Sequence, residues 1–264
     1  MSILLDYVRM FEGKNDLDRR NTLIDILESK GHDFELEDYK YKGEEGINII
    51  VTKGDGQRDI LLTTHYDVVP GSPGANDNAS CIAVLLDILE KLKDYKVKNR
   101  IRIVFFDDEE INCIGSQAYV ARHGVDNIIG VYNTELVGMG DTVGIWPVTK
   151  DVEDSKVLLN LKSVLEDKGY PYGEAGLLPL LFSDHRSFRE CGLKDAFCLS
   201  MVDGKNMNEI RRFAESPKSM QGEIPFMFKL YHSSEDKSKY LSEEALRLMS
   251  DVIYTSIVRL DQDS

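Results

Sequence analysis

The run "IRIVFFDDEE", residues 101–110, changes character in its middle. Up to Phe106 it is almost continuously apolar, broken only by Arg102. A strand with one wet face alternates apolar and polar residues, whereas a strand buried on both faces does not. Residues 101–107 therefore predict an inner strand of a sheet covered by helices on both sides. Four acids then follow in a row: Asp107, Asp108, Glu109 and Glu110. Such neighbours repel one another unless they face water or a cation. A solvated charge run is the ordinary reading. It weakens here because the acids leave a core-like strand and enter an apolar turn, "INCIG" (111–115).

On either side, helical and strand patterns alternate. "DRRNTLIDILESKG" (18–31) reads as a helix stopped by Gly31. "INIIVTKGDGQRDILLTTHYD" (47–67) reads as strand Ile47 to Val51, a Gly-Asp-Gly turn at 54–56, and strand Ile60 to Thr64. "ASCIAVLLDILEKLK" (79–93) has the wide apolar face of a packed helix, with Asn78 placed to cap it. A helix at 115–124 closed by Gly124, a strand at 128–136, a helix at 155–169, a strand at 195–202 and a helix at 242–260 capped by Ser242 complete the pattern. No Pro/Gly-rich linker divides it. We expect an α/β fold: a single domain, 1–264, with a mixed, mostly parallel central sheet flanked by helices on both faces. In such sheets, functional groups gather beyond the carboxyl ends of the strands.

Composition narrows the function classes. With 32 Lys and Arg against 46 Asp and Glu, the net charge of −14 argues against a general nucleic-acid binder, which needs a basic face. No run reaches the roughly 18 apolar residues of a membrane helix. The start, "MSILLDYVRMFEGK", lacks the basic region of a secretory signal. Cys81, Cys113, Cys191 and Cys198 form no C-x-x-C pair. Reduced thiols and a cytoplasmic location are the expectation.

Chemistry-bearing residues stand where strands stop. Strand 60–64 runs into His65-Tyr66-Asp67, whose His and Asp share one side of an extended chain. Asp77 lies in the small-residue turn "GANDNAS" (74–80), Glu135 ends strand 128–134, and His232 follows the apolar "IPFMFKLY". His32 and His123 sit at helix ends with no acid pattern around them. His65, Asp77, Glu110, Glu135 and His232 make a nitrogen-and-oxygen donor set suited to Zn²⁺, and Mn²⁺ or Co²⁺ suit it too. Five protein donors exceed what one catalytic zinc uses and fit two ions sharing a carboxylate. Glu109 and Glu110 cannot both face the ions from a regular strand, so one is a ligand and its neighbour a general base.

The stretches "THYDVVPGSPGANDNASCIAVLLDIL", "IRIVFFDDEEINCIGSQAYV", "VYNTELVGMGD", "FSDHRSFRECGL" and "YHSSED", spanning residues 64–236 in this order, resemble the co-catalytic di-zinc aminopeptidases. That family, similar to the bacterial leucyl aminopeptidases, shares its fold with glutaminyl cyclases and zinc carboxypeptidases. The resemblance implies that Asp77 bridges two zinc ions, with His65 and Glu135 completing one site and Glu110 and His232 the other. It implies Glu109 as general base and acid, and Asp67 as the group orienting His65. Ser183, Asp184 and His185 fall in a recurrent family motif beside the site; with Tyr231 they are candidates to support it or face substrate. The implied activity is removal of N-terminal residues from a peptide or aminoacyl substrate, through a water bridged between the zincs, by a monomer or simple homodimer. The alternatives are a glutaminyl cyclase, a deacylase or carboxypeptidase acting on a small amide, and a non-catalytic binding domain. The short "EEINCIGS", and Tyr231 where cyclases tend to carry Trp, weigh against the cyclase. Two positions depart from the family: Cys81, where Gly is usual, reads as a small buried Cys, and Glu135 stands where Asp is commoner. Residues 145–150 and 203–230 are expected to line the specificity pocket.

Overall fold

A computed structural model describes residues 3–179, 181–216 and 224–264. In chain order the elements are α1 (Ile3–Phe11), α2 (Asp16–Ser29), β1 (Glu35–Tyr41), β2 (Glu44–Lys53), β3 (Asp59–His65), α3 (Ser80–Lys91), β4 (Arg100–Phe106), α4 (Ile114–His123), β5 (Ile128–Thr134), β6 (Thr142–Trp146), α5 (Lys156–Lys168), β7 (Tyr172–Glu174), α6 (His185–Glu190), β8 (Ala196–Val202), α7 (Met207–Glu215), α8 (Phe226–Leu230) and α9 (Glu243–Asp263). The strands form one eight-stranded sheet in the order β1-β2-β4-β3-β5-β8-β6-β7. Its centre, β4-β3-β5-β8, is parallel; β2 joins β4 and β6 joins β8 antiparallel.

The apolar runs explain the centre. β3, β5 and β8 are buried at every position, so both of their faces need cover. α1, α3, α5 and α9 supply it on one face, with Leu4, Leu86, Leu161 and Ile253 against Leu62 and Ile103. α4 and α6 supply it on the other, where Tyr119 and Phe188 pack on Phe106. Leu62 has no exposed surface. Leu62→Ala is expected to destabilise the fold by about 2–5 kcal/mol, through lost burial and a residual cavity. Denaturant titration checks it, because the midpoint falls at unchanged slope.

The strands on either side of the Gly-Asp-Gly turn exist but do not pair. β4 lies between them, antiparallel to β2 and parallel to β3. The physical reason lies in β3, which is buried at every position and takes the largely buried β4 and β5 as its neighbours. Gly54 and Gly56 are packed onto the segment entering β4: a Cβ at either would meet Asn99 backbone at 2.5–2.6 Å. Asn78 does not cap the following helix. Ala79 occupies the cap position with helical φ/ψ and no side-chain cap bond, and the Asn78 amide is used elsewhere.

Register brings the strand ends level. His65 pairs with Phe106, immediately before the acid run, and Thr63 pairs with Asn133, so Glu135 falls beside His65.

Candidate metal centre

His65 leaves the end of β3 with its Nε2 buried and without a hydrogen-bond partner. Around that atom stand Asp77 Oδ1 at 3.3 Å, Glu135 Oε2 at 3.6 Å and Glu109 Oε2 at 4.0 Å. The other Asp77 oxygen, Oδ2, lies 3.2 Å from His232 Nε2, and Glu110 Oε2 lies 3.1 Å from the same nitrogen. Asp77 thus stands between two imidazoles, each with a further carboxylate of its own. His65, Asp77 and Glu135 form one group whose donor atoms lie within 4.8 Å of one another, and Asp77, Glu110 and His232 form a second.

Local backbone explains the convergence. Asp77 sits in an irregular turn, Ala75–Ala79, with φ −109° and ψ 91°. Gly74 enters it at φ +62°, where a Cβ would strike the Arg19 guanidinium and the Asp77 carbonyl. The acid run is not strand beyond Phe106, and Asp108 has φ +53°. Freed from strand alternation, Glu109 and Glu110 both turn toward His65. The limit that a regular strand would set on this pair does not apply, because both acids lie beyond the strand.

Support for the donors comes from several elements. Asp67 Oδ1 lies 3.2 Å from His65 Nδ1, while its Oδ2 accepts from the Glu110 N–H at 3.0 Å. Ser183 donates to Glu135 Oε2 at 2.8 Å and accepts from the Asn133 amide at 2.7 Å. The Asn78 amide donates to the Thr134 carbonyl at 3.1 Å, and its oxygen accepts from Leu136 N–H at 3.3 Å, which pins the turn to the end of β5. Tyr231 stacks on His232, ring centroids 3.7 Å apart. Asp184 is fully buried beside the cluster with neither carboxylate oxygen bonded. His185 stays outside it: its ring packs edge-on against Trp146 at 4.7 Å, and burial with Arg189 and Arg186 lowers its pKa to about 3. Cys81 is fully buried in the core. His32 and His123 do have acids, Glu90 at 2.7 Å and Glu37 at 2.6 Å, each remote in sequence.

The electrostatics are those of crowded acids. Burial, opposed by His65, raises Glu135 to about 7, and Asp77 adds to the rise. Burial also lifts Glu109 well above the usual carboxylate range, with Glu135, Asp184 and Glu110 adding to it against His65. Burial opposes protonation of His65, but Glu109 and Glu135 outweigh it and hold its pKa well above the ordinary value. Divalent cations would reverse this by favouring ionised carboxylates and neutral imidazoles. The orphaned His65 Nε2 and Glu110 Oε1 are donors of the kind a metal takes. The residues fit zinc.

Glu109, Glu110, Tyr231 and His232 open into a cavity of about 630 Å³ bounded by Lys42, Phe182 and Arg186. Across Phe182 and Arg186 it meets an apolar pocket of about 430 Å³ that includes Trp146, Pro147, Leu178 and Leu181. Residues 145–150 thus contribute Trp146 and Pro147. Of 203–230, Met207, Ile210, Ala214 and Met227 pack in the cluster beneath Trp146, and 217–223 lie outside the described residues.

Two groups of candidate metal donors thus stand at the strand ends of a helix-covered mixed sheet. The chain belongs to Peptidase family M28, whose model matches residues 48–257. It is similar to Aminopeptidase YwaD of Bacillus subtilis (strain 168), 27% identical over 203 residues, 75% of this chain and 40% of that protein. It superposes on BSAP, a zinc aminopeptidase from Bacillus subtilis, with TM-score 0.65 and 26% identity, covering 83% of this chain and 51% of that one. It shares its fold with a Porphyromonas gingivalis glutaminyl cyclase at TM-score 0.71 and 20% identity, over 99% of this chain and 97% of that one. The chain spans about half the length, or less, of these two aminopeptidases. No helix among the described residues is long and apolar enough to cross a membrane.

Proposed function

We propose that this chain is a zinc-dependent aminopeptidase that holds two ions. His65, Asp77 and Glu135 would hold one ion, and Asp77, Glu110 and His232 the other. The observation carrying this reading is the single Asp77 carboxylate, with one oxygen 3.3 Å from His65 and the other 3.2 Å from His232. When bound, the ions would supply Lewis acidity, lowering the pKa of water and polarising a carbonyl. Asp67 fixes the His65 ring so that Nε2 faces the centre. Glu109 is left without a ligand's role and lines the cavity, where it takes the proton of the attacking water and returns it to the leaving amine. The apolar pocket against Trp146, Leu178 and Leu181 suits an apolar substrate side chain.

The test is a panel of aminoacyl anilides and an N-terminal Gln peptide, with zinc counted per chain. Two zincs, free amino acid as product, and faster cleavage of Leu than of Glu or Gly substrates are expected. Release of a pyroglutamyl peptide without free amino acid would replace the aminopeptidase with a glutaminyl cyclase, the activity of one protein sharing this fold.

A further inference from the structure

The first three N–H groups of the irregular turn that carries Asp77 find no partner within the turn, and one residue takes all three. Asp236 accepts from Asn76 N–H through Oδ1 at 2.8 Å, from Asp77 N–H through Oδ2 at 3.0 Å, and from Ala75 N–H through its own carbonyl at 3.2 Å. Its side chain is buried, with 1% of the residue exposed, and burial raises its pKa to about 6, against the pull of those N–H groups. The turn's carbonyl side is held oppositely. The fully buried Arg19 donates from Nη2 to Pro73 O at 2.9 Å and to Gly74 O at 2.8 Å. A carboxylate thus grips the N–H edge of the turn and a guanidinium its C=O edge, each by charge-assisted bonds.

Asp236 lies four residues beyond His232, in a tight turn closed by its own N–H on Ser233 O at 3.2 Å. His232 is itself in the left-handed region, φ +56°. Asp77 and His232 are remote in sequence, and Asp236 ties the Asp77 turn to the segment four residues beyond His232. His65 and Glu135 need no such link, because β3 and β5 already fix them through the sheet.

We propose that Asp236 is a positioning residue for metal. It clasps the Asp77 turn to the His232 loop, and retention of the ion at Asp77, Glu110 and His232 depends on it more than retention of the ion at His65 and Glu135. This rests on the two-ion reading above. Asn in its place keeps the shape but turns an N–H toward one of the turn's N–H groups. Glu keeps both acceptors one methylene further out.

The test is equilibrium dialysis of metal-depleted protein against Co²⁺, followed by its visible absorption, for the parent chain, Asp236→Asn and Asp236→Glu. Thermal melting of the metal-free proteins reports folding. The parent is expected to take two ions with separate affinities. Asp236→Asn should melt cooperatively, keep one ion at near-parent affinity and bind the other roughly 10–100-fold more weakly. Asp236→Glu should recover part of that loss, and it carries the same comparison if the Asn variant does not fold. Two ions at unchanged affinity in the variants, or equal weakening of both, would overturn the clasp alone. A parent chain that takes fewer than two ions would overturn the two-ion reading, and the clasp with it.

Discussion

Glu109→Gln lowers kcat by about 10²–10⁴-fold, the usual contribution of a positioned acid–base group, while zinc content stays as in the parent. That range corresponds to about 2.7–5.4 kcal/mol of activation free energy. Glu109 Oε2 is 4.0 Å from His65 Nε2, the longest of the His65 contacts, while Asp77 and Glu135 lie closer. The donor triads are complete without it. Gln is isosteric and cannot take up a proton at working pH, so proton transfer is lost and the donors remain. Folding should not suffer: burial and the neighbouring carboxylates make ionised Glu109 costly, and a neutral amide removes that cost. The diagnostic pattern is unchanged zinc, unchanged or raised melting temperature, near-parent KM and collapsed kcat. If the variant cleaves aminoacyl anilides at the parent rate, Glu109 is not the base. If it loses zinc instead, Glu109 is a ligand.

The residues that cluster at the candidate centre were legible in the sequence because each interrupts a local pattern. His65, Glu109, Glu110 and Glu135 follow apolar strands, and Asp77 is the lone acid among turn residues. Period and punctuation show such breaks without any knowledge of what lies opposite. The inner strands and long helices were legible for the same reason. Asp236, Arg19 and Asn78 were not, because their roles are bonds to remote backbone. Asp236 reads as one acid in "SSED", and nothing local says that its partners lie about 160 residues earlier. Asn78 stands where a helix cap belongs, and only the neighbouring β5 explains its other use. The same blindness made His32 and His123 look acid-free. The outlying strands escaped notice too: the edge strand β1 buries only two of its seven positions and carries four charges, and β6, next to the other edge, is five residues around Gly144.

Asp77→Asn should cost both ions, whereas Glu110→Ala should cost one. Among the described residues Asp77 is the one carboxylate within ion-pair distance of both imidazoles, and both histidines hold its pKa below the ordinary range despite burial. Asn retains the size and one acceptor oxygen, so the turn and its clasp persist. It removes the charge and one of the two donors. The second ion's group then keeps only Glu110 and His232, and the first keeps His65 and Glu135 with a neutral oxygen. Each affinity is expected to fall by more than the roughly 10–100-fold cost of losing a merely supporting partner. Activity should vanish at zinc concentrations that saturate the parent. Excess zinc should restore it only in part, because a neutral amide cannot serve two cations as a carboxylate does. Glu110→Ala leaves the His65 group intact and is expected to retain one zinc per chain after dialysis. Metal analysis of the dialysed variants decides the matter. One zinc retained by Asp77→Asn would mean that the carboxylate serves a single site, and two zincs retained by Glu110→Ala would remove Glu110 from the ligand set.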